Sequence, residues 1–75
     1  MVQTKVLIEG MACGMCEAHI NAAVRRAFRI RKIHSSYRNG QAIIISDNRM
    51  DEEKLCEVIG SLGYPVLSIE ETQMH

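Results

Sequence analysis

The fold is decided where the stretch KVLIEGMACGMC, residues 5–16, passes from an apolar segment into a loop with two cysteines. Lys5 to Glu9 contains β-branched residues and is stopped by Gly10, which is typical of a strand. Beyond the loop, apolar residues recur at helical spacing, which predicts an amphipathic helix from about Cys16 to Phe28. A strand, a cysteine loop and a helix are therefore expected in direct succession.

The rest of the chain predicts three further strands. They are Ile30 to Tyr37, Gln41 to Ser46 and a short last strand from Val66 to Ile69. Asn39-Gly40 lies between the first two of them and is a strong hairpin signal, because a type I′ turn needs positive φ at both central residues.

A second helix is predicted between the third and fourth strands. Asp51 is a favourable N-cap residue, and Gly63 is a favourable residue for the C-terminal end. Its predicted buried stripe is Leu55, Val58, Ile59 and Leu62. Cys56 neighbours this stripe, so we expect a partly buried thiol that behaves as a small hydrophobe.

The element order β-α-β-β-α-β is that of the ferredoxin-like α+β sandwich, a four-stranded antiparallel sheet with both helices on one face. Its usual strand order, 4-1-3-2, places the cysteine loop, Asn39-Gly40 and Gly63-Tyr64 at one end. We expect one domain over residues 1–75, with a core at about 4–69 and a frayed polar tail at 70–75, because a chain this short cannot bury a second core.

Composition excludes several function classes. Nine basic and nine acidic residues give a net charge of zero, which argues against nucleic-acid binding. The most basic stretch, Arg25 to Lys32, is expected to be a solvated end, balanced by the acidic residues 51–53. No signal-peptide pattern is visible and the apolar run at Ile43 to Ile45 is far too short for a membrane span, so we expect a cytoplasmic chain that is not embedded in a membrane.

The cysteine loop carries the chemistry. The spacing of Cys13 and Cys16 directs both sulfurs into one small volume, and the start of a helix favours the thiolate form that binds metal. Two thiolates suit a soft ion of low coordination number, with Cu(I) first, and they also accept Zn(II), Cd(II) or Hg(II). The alternative is a redox pair, since thioredoxin motifs also place two such cysteines at a helix start.

Three motifs together resemble one family. Gly10-Met11-x-Cys13-x-x-Cys16 after a strand, Asn39-Gly40-Gln41-Ala42 at the hairpin and Gly63-Tyr64 after the second helix are similar to the heavy-metal-associated domains. That family comprises copper chaperones and the N-terminal modules of copper-transporting P-type ATPases. The resemblance extends from about Lys5 to Ile69, nearly the whole chain.

The resemblance implies roles for individual residues. Cys13 and Cys16 would be the metal ligands, Met11 would turn inward and hold the loop to the core, and Tyr64 would shield the site and oppose transfer to a third ligand. Three residues depart from the family pattern: Arg29 where Gly is usual, Glu17 where an apolar residue often follows the second cysteine, and Pro65 directly after Tyr64.

The resemblance also implies a function without catalysis. It indicates a Cu(I) metallochaperone that passes the ion, by exchange of cysteine ligands, to a metal-transporting P-type ATPase or a metalloregulator. The alternative is a thiol redox or metal-sensing domain without transfer. We expect a monomer, or a weak or metal-bridged dimer.

Some side chains leave alternatives open. Met15 offers a soft thioether between the cysteines, and His19 follows Cys16 by about one helical turn, so both are possible accessory ligands. The competing expectation is an exposed loop residue and a solvent-facing histidine. Leu7, Ile43 and Ile45 are predicted side by side on the sheet face without helices, either as an apolar contact surface or as scattered surface residues.

Overall fold

A computed structural model describes residues 1–11 and 14–73, and this part of the chain forms four strands and two helices. In chain order they are β1 (Val2–Ile8), α1 (Gly14–Ala27), β2 (Lys32–Ser36), β3 (Gln41–Ser46), α2 (Glu52–Gly60) and β4 (Val66–Gln73). All strand pairs are antiparallel and the sheet order is β2-β3-β1-β4, which confirms the ferredoxin-like α+β prediction.

The core lies between the sheet and the two helices. Burial alternates residue by residue along β1 and β3, the two central strands, as expected when one sheet face is covered. The main contributors are Val6 and Ile8 of β1, Ala42 and Ile44 of β3, Ile20 and Val24 of α1, and Leu55 and Ile59 of α2. Ile33 of β2 and Met50 complete this cluster.

Strand β4 is longer than predicted. Residues 70–73, expected as part of a frayed polar tail, continue the strand by pairing with residues 2–5 of β1. The Arg49 guanidinium binds the Glu71 carboxylate at 3.0 Å and adds a side-chain contact there. Polar residues give no apolar periodicity, so the sequence does not indicate that the predicted strand continues over residues 70–73. Residues 74 and 75 lie outside the described part of the chain.

Two predictions on α2 are wrong and one is confirmed. Asp51 is the N-cap and accepts a hydrogen bond from the Lys54 amide at 3.2 Å. Cys56 is exposed, because it projects away from the core-facing side of the helix. Leu62 is also exposed, because the α-helix ends at Gly60 and a turn with the Gly63 amide bound to the Gly60 carbonyl follows.

The open sheet face is not a continuous apolar surface. Leu7, Ile43 and Ile45 share this face and are each half-buried. Their cross-strand neighbours are polar: Lys5 lies opposite Ile43, Lys32 opposite Ile45 and Gln41 opposite Leu7. The structure therefore favours scattered surface residues, and self-association stays a prediction.

The turn between β2 and β3 lies where Asn39-Gly40 predicted it, but the predicted type I′ geometry is wrong, because Gly40 has a positive φ and Asn39 does not. The φ of Gly40 is +62°, and a Cβ at this position would lie 3.1 Å from the Ile8 carbonyl oxygen. We expect Gly40→Ala to lower the free energy of unfolding by about 1–3 kcal/mol, measured by urea denaturation.

Gly60→Ala is the matched control for that substitution. Gly60 is the last residue of α2, and a Cβ there meets nothing within 4 Å. Alanine loses less backbone entropy than glycine when it folds into a helix. Gly60→Ala should therefore raise the free energy of unfolding, by less than about 1 kcal/mol. Equal midpoints for wild type and Gly40→Ala would contradict the role given to this turn.

Candidate metal site

The first turn of α1 carries the one cysteine of the predicted pair that the structure describes. Cys16 is the third residue of this helix and is 9 % exposed. The backbone amides of a first helical turn have no partner within the helix, and the helix dipole is positive at this end. The backbone therefore favours negative charge on the Cys16 sulfur. Cys13 lies outside the described residues, together with Ala12.

Tyr64 contacts the Cys16 sulfur from the connection between α2 and β4. Its hydroxyl donates a hydrogen bond to Sγ at 3.1 Å. A Cβ on Gly10 would lie 3.7 Å from Cδ1 of the Tyr64 ring, and the φ of Gly10 is +90°. The Glu9 amide donates to the Pro65 carbonyl at 2.9 Å. The start of the cysteine loop and the Tyr64 segment are thus held together.

The β2–β3 turn contacts the cysteine loop from its other side. The Ile8 amide donates to the Gly40 carbonyl at 2.7 Å, directly before the loop. The Tyr37 amide donates to Oε2 of Glu17 at 2.8 Å, directly after Cys16. The three segments predicted to meet at one end of the sandwich, the cysteine loop, the hairpin turn and the residues around Tyr64, do meet there.

No family model matches the chain, but individual proteins do. Mercuric reductase from Lysinibacillus sphaericus is 34% identical over 71 residues, which are 95% of this chain and only 13% of the reductase. The copper chaperone CopZ of Enterococcus hirae is 29% identical over 58 residues, 76% of this chain and 84% of CopZ. A copper-binding domain from a P-type ATPase superposes with a TM-score of 0.77 at 26% identity and covers 93% of this chain and 99% of its own.

In sequence and in fold, the chain is similar to heavy-metal-associated domains. Two of these similar proteins are a copper chaperone and a domain of a P-type ATPase, and the match to the reductase is confined to one small part of that enzyme. No helix in residues 1–11 and 14–73 is long and apolar enough to cross a membrane.

Met11 contacts the interior of the domain. It is half-buried and packs against the core cluster. This location agrees with the inward orientation that the family resemblance implies. Its part in metal binding stays a prediction.

The two possible accessory ligands lie at the surface of α1. Met15 is 68 % exposed, and His19 is exposed as well. Among the described residues there is no group of three or more His, Cys, Asp or Glu side chains arranged to hold a metal ion. Ligation by Met15 or His19 stays a prediction.

Two side chains of α1 have contacts that the sequence did not predict. Glu17 binds the Tyr37 amide, and Oδ1 of Asn21, one helical turn later, accepts a hydrogen bond from the buried Ser35 hydroxyl at 2.6 Å. The available signal was the i, i+4 spacing of two polar residues beside the core-facing Ile20. These two contacts hold α1 against the β2–β3 hairpin.

The basic stretch contacts the residues that follow β3 and those of α2. Arg31 forms an exposed ion pair with Asp47, and this hydrogen bond, with the charge of the guanidinium, keeps the Asp47 pKa below its usual value. The Lys54 ammonium lies 5.2 Å from the centre of the Phe28 ring. Asp47 is thus the acidic partner of Arg31, and the predicted balance of the whole stretch by residues 51–53 stays a prediction.

Proposed function

We propose that this domain binds one soft metal ion between Cys13 and Cys16 and passes it to an acceptor that also presents cysteines. Cu(I) is the proposed cargo, and a metal-transporting P-type ATPase or a metalloregulator is the proposed acceptor. The observation that carries the proposal is the position of the Cys16 sulfur, which lies nearly buried in the first turn of α1 beside the Tyr64 hydroxyl.

The chemistry follows from the ligand type and its surroundings. Thiolates are soft ligands that select Cu(I) over hard cations, and the N-terminal end of a helix favours the thiolate over the thiol. During transfer, a thiolate of the acceptor forms a bond to copper as one bond from copper to a donor thiolate breaks. The oxidation state of copper does not change. A reducing compartment such as the cytoplasm keeps the thiols available for this exchange, and we place the domain there.

The choice of metal rests on the relatives. The copper chaperone matches over most of its own length, and the ATPase domain binds copper, which favours Cu(I). The match to mercuric reductase supports Hg(II) as a second cargo. Anaerobic competition of Cu(I), Hg(II) and Zn(II) against calibrated chelators distinguishes them. We expect about one Cu(I) per chain.

Two outcomes of that competition would overturn the proposal. Zn(II) held as tightly as Cu(I) would favour a sensing role over transfer of copper. A chain that retains no soft metal, but cycles between dithiol and disulfide, would favour the redox alternative.

Tyr64 is expected to slow transfer of the metal. Tyr64→Phe keeps the ring against Gly10 and removes the hydroxyl that donates to Cys16 Sγ. A hydrogen bond of this kind contributes about 0.5–1.5 kcal/mol, so we expect Cu(I) to leave for a competing thiol about two- to tenfold faster. Stopped-flow measurement with a coloured chelator gives this rate.

Tyr37→Phe is the matched control, since it removes the same hydroxyl at a different place. Among the described residues, the contact recorded for the Tyr37 hydroxyl is a long one of 3.5 Å from the exposed Arg38. Its transfer rate should equal that of the wild type. Equal rates for Tyr64→Phe and the wild type would show that the Tyr64 hydroxyl does not restrain the metal.

A further inference from the structure

We propose that Glu17 is a positioning residue for metal binding, which fixes Cys16 by tying the first turn of α1 to the β2–β3 turn. The inference rests on the proposed function, since it concerns the same metal site. Glu17 replaces the apolar residue that often follows the second cysteine in the family, and nothing in metal ligation itself requires a carboxylate there.

The contact that carries the inference joins a side chain to the backbone. Oε2 of Glu17 accepts the Tyr37 amide at 2.8 Å in a partly buried position. A backbone amide cannot change rotamer, so the bond fixes the Glu17 side chain relative to the hairpin more firmly than a contact between two flexible side chains would. Because Glu17 follows Cys16 directly in the same helical turn, the bond also limits how that turn can move.

The hairpin thereby holds both ends of the cysteine loop. At the first end, the Gly40 carbonyl accepts the Ile8 amide at 2.7 Å. At the second end, Tyr37, three residues before Gly40, binds Glu17. Ile8 before the cysteine motif and Glu17 after it are thus both bound to one short turn.

Tyr64 is a second contact that restricts where the Cys16 sulfur can lie. Its hydroxyl reaches Sγ at 3.1 Å from a different connection, so the sulfur must be placed against two segments at once. A binding site held in its productive geometry avoids the free energy of ordering its ligands when the metal arrives. Loss of a residue that orients a metal ligand commonly costs about 10–100-fold in affinity.

Two conservative substitutions separate the effect of the length of the Glu17 side chain from the effect of its charge. Glu17→Gln keeps the chain length and a carbonyl oxygen for the Tyr37 amide, but removes the charge. Glu17→Asp keeps the charge and shortens the side chain by one methylene group. We expect Glu17→Asp to weaken Cu(I) binding about tenfold in anaerobic chelator competition, and Glu17→Gln to remain within about twofold of the wild type.

Asn21→Ala is the control for helix attachment in general. It removes a side-chain bond between α1 and β2, the one that Asn21 accepts from Ser35, one helical turn farther from Cys16. We expect this variant to lower the unfolding midpoint and to leave Cu(I) affinity unchanged. If Asn21→Ala lost as much Cu(I) affinity as Glu17→Asp, Glu17 would be one of several general contacts that hold the helix. That result would overturn the inference.

The amide resonance of Tyr37 tests the contact without any metal. In the apo protein it should shift strongly in Glu17→Asp and little in Glu17→Gln. Wild-type affinity in Glu17→Asp, or a loss in Glu17→Gln alone, would overturn the positioning role and leave the proposed function intact. Failure of the wild type itself to bind Cu(I) would instead overturn the proposed function.

Discussion

Replacement of both Cys13 and Cys16 by serine is expected to abolish tight binding of Cu(I) and to leave the fold intact. A serine hydroxyl is a hard ligand that stays protonated at neutral pH, so it offers copper no soft anion. The loss should far exceed the roughly 10–100-fold that removal of a supporting residue costs. Chelator competition measures the affinity, and circular dichroism measures the fold.

The fold should survive because Cys16 is peripheral to the core. Cys16 is nearly buried, yet it is not a member of the central cluster formed by the sheet and both helices. Cys56→Ser provides the matched control, since it makes the same chemical change at an exposed position on α2. It should bind Cu(I) like the wild type. Unchanged affinity in the double variant would refute the assignment of the ligands.

Leu55→Ala is expected to have the largest effect on stability. Leu55 is fully buried on α2 within the central cluster. Removing a buried leucine side chain costs about 2–5 kcal/mol, because apolar contacts are lost and a cavity remains. A domain of this size has a total stability on the order of 4–11 kcal/mol, so this variant should lose much of it. Urea denaturation followed by circular dichroism gives the difference.

Leu67→Ala makes the same substitution at a surface position of β4, where the leucine is 62 % exposed. We expect a change within about 0.5 kcal/mol. Cu(I) in excess should raise the unfolding midpoint of Leu55→Ala, because a ligand that binds only the folded state stabilises it by mass action. A Leu55→Ala variant as stable as Leu67→Ala would contradict the described core.

Most of the fold was predictable because its signals are local. The alternation along β1, the Asn39-Gly40 turn and the Asp51 cap each act within a few residues. The wrong predictions concern residues whose structure depends on more than their neighbours in sequence. Periodicity assigned Leu62 to the helix, since it does not detect the turn after Gly60, and the polar residues 70–73 join the sheet through backbone pairing alone.

The location of the candidate site could be predicted from the sequence, but the hydrogen bonds within it could not. Helix and strand order alone bring Cys16 and Tyr64 to one end of the sandwich, although they are 48 residues apart in sequence. The bond between Glu17 and the Tyr37 amide depends on how far α1 lies from the hairpin, which no local pattern encodes. The metal is not encoded locally either, since paired thiolates accept several soft ions.

The central claim is that paired thiolates of this domain hold a soft metal. X-ray absorption at the copper edge of the Cu(I)-loaded wild type tests it most directly, because it reports which atoms surround the metal. We expect the two thiolate sulfurs to dominate the copper environment, and we expect this spectrum to be lost in the double serine variant. A copper environment dominated by nitrogen or oxygen would contradict the claim.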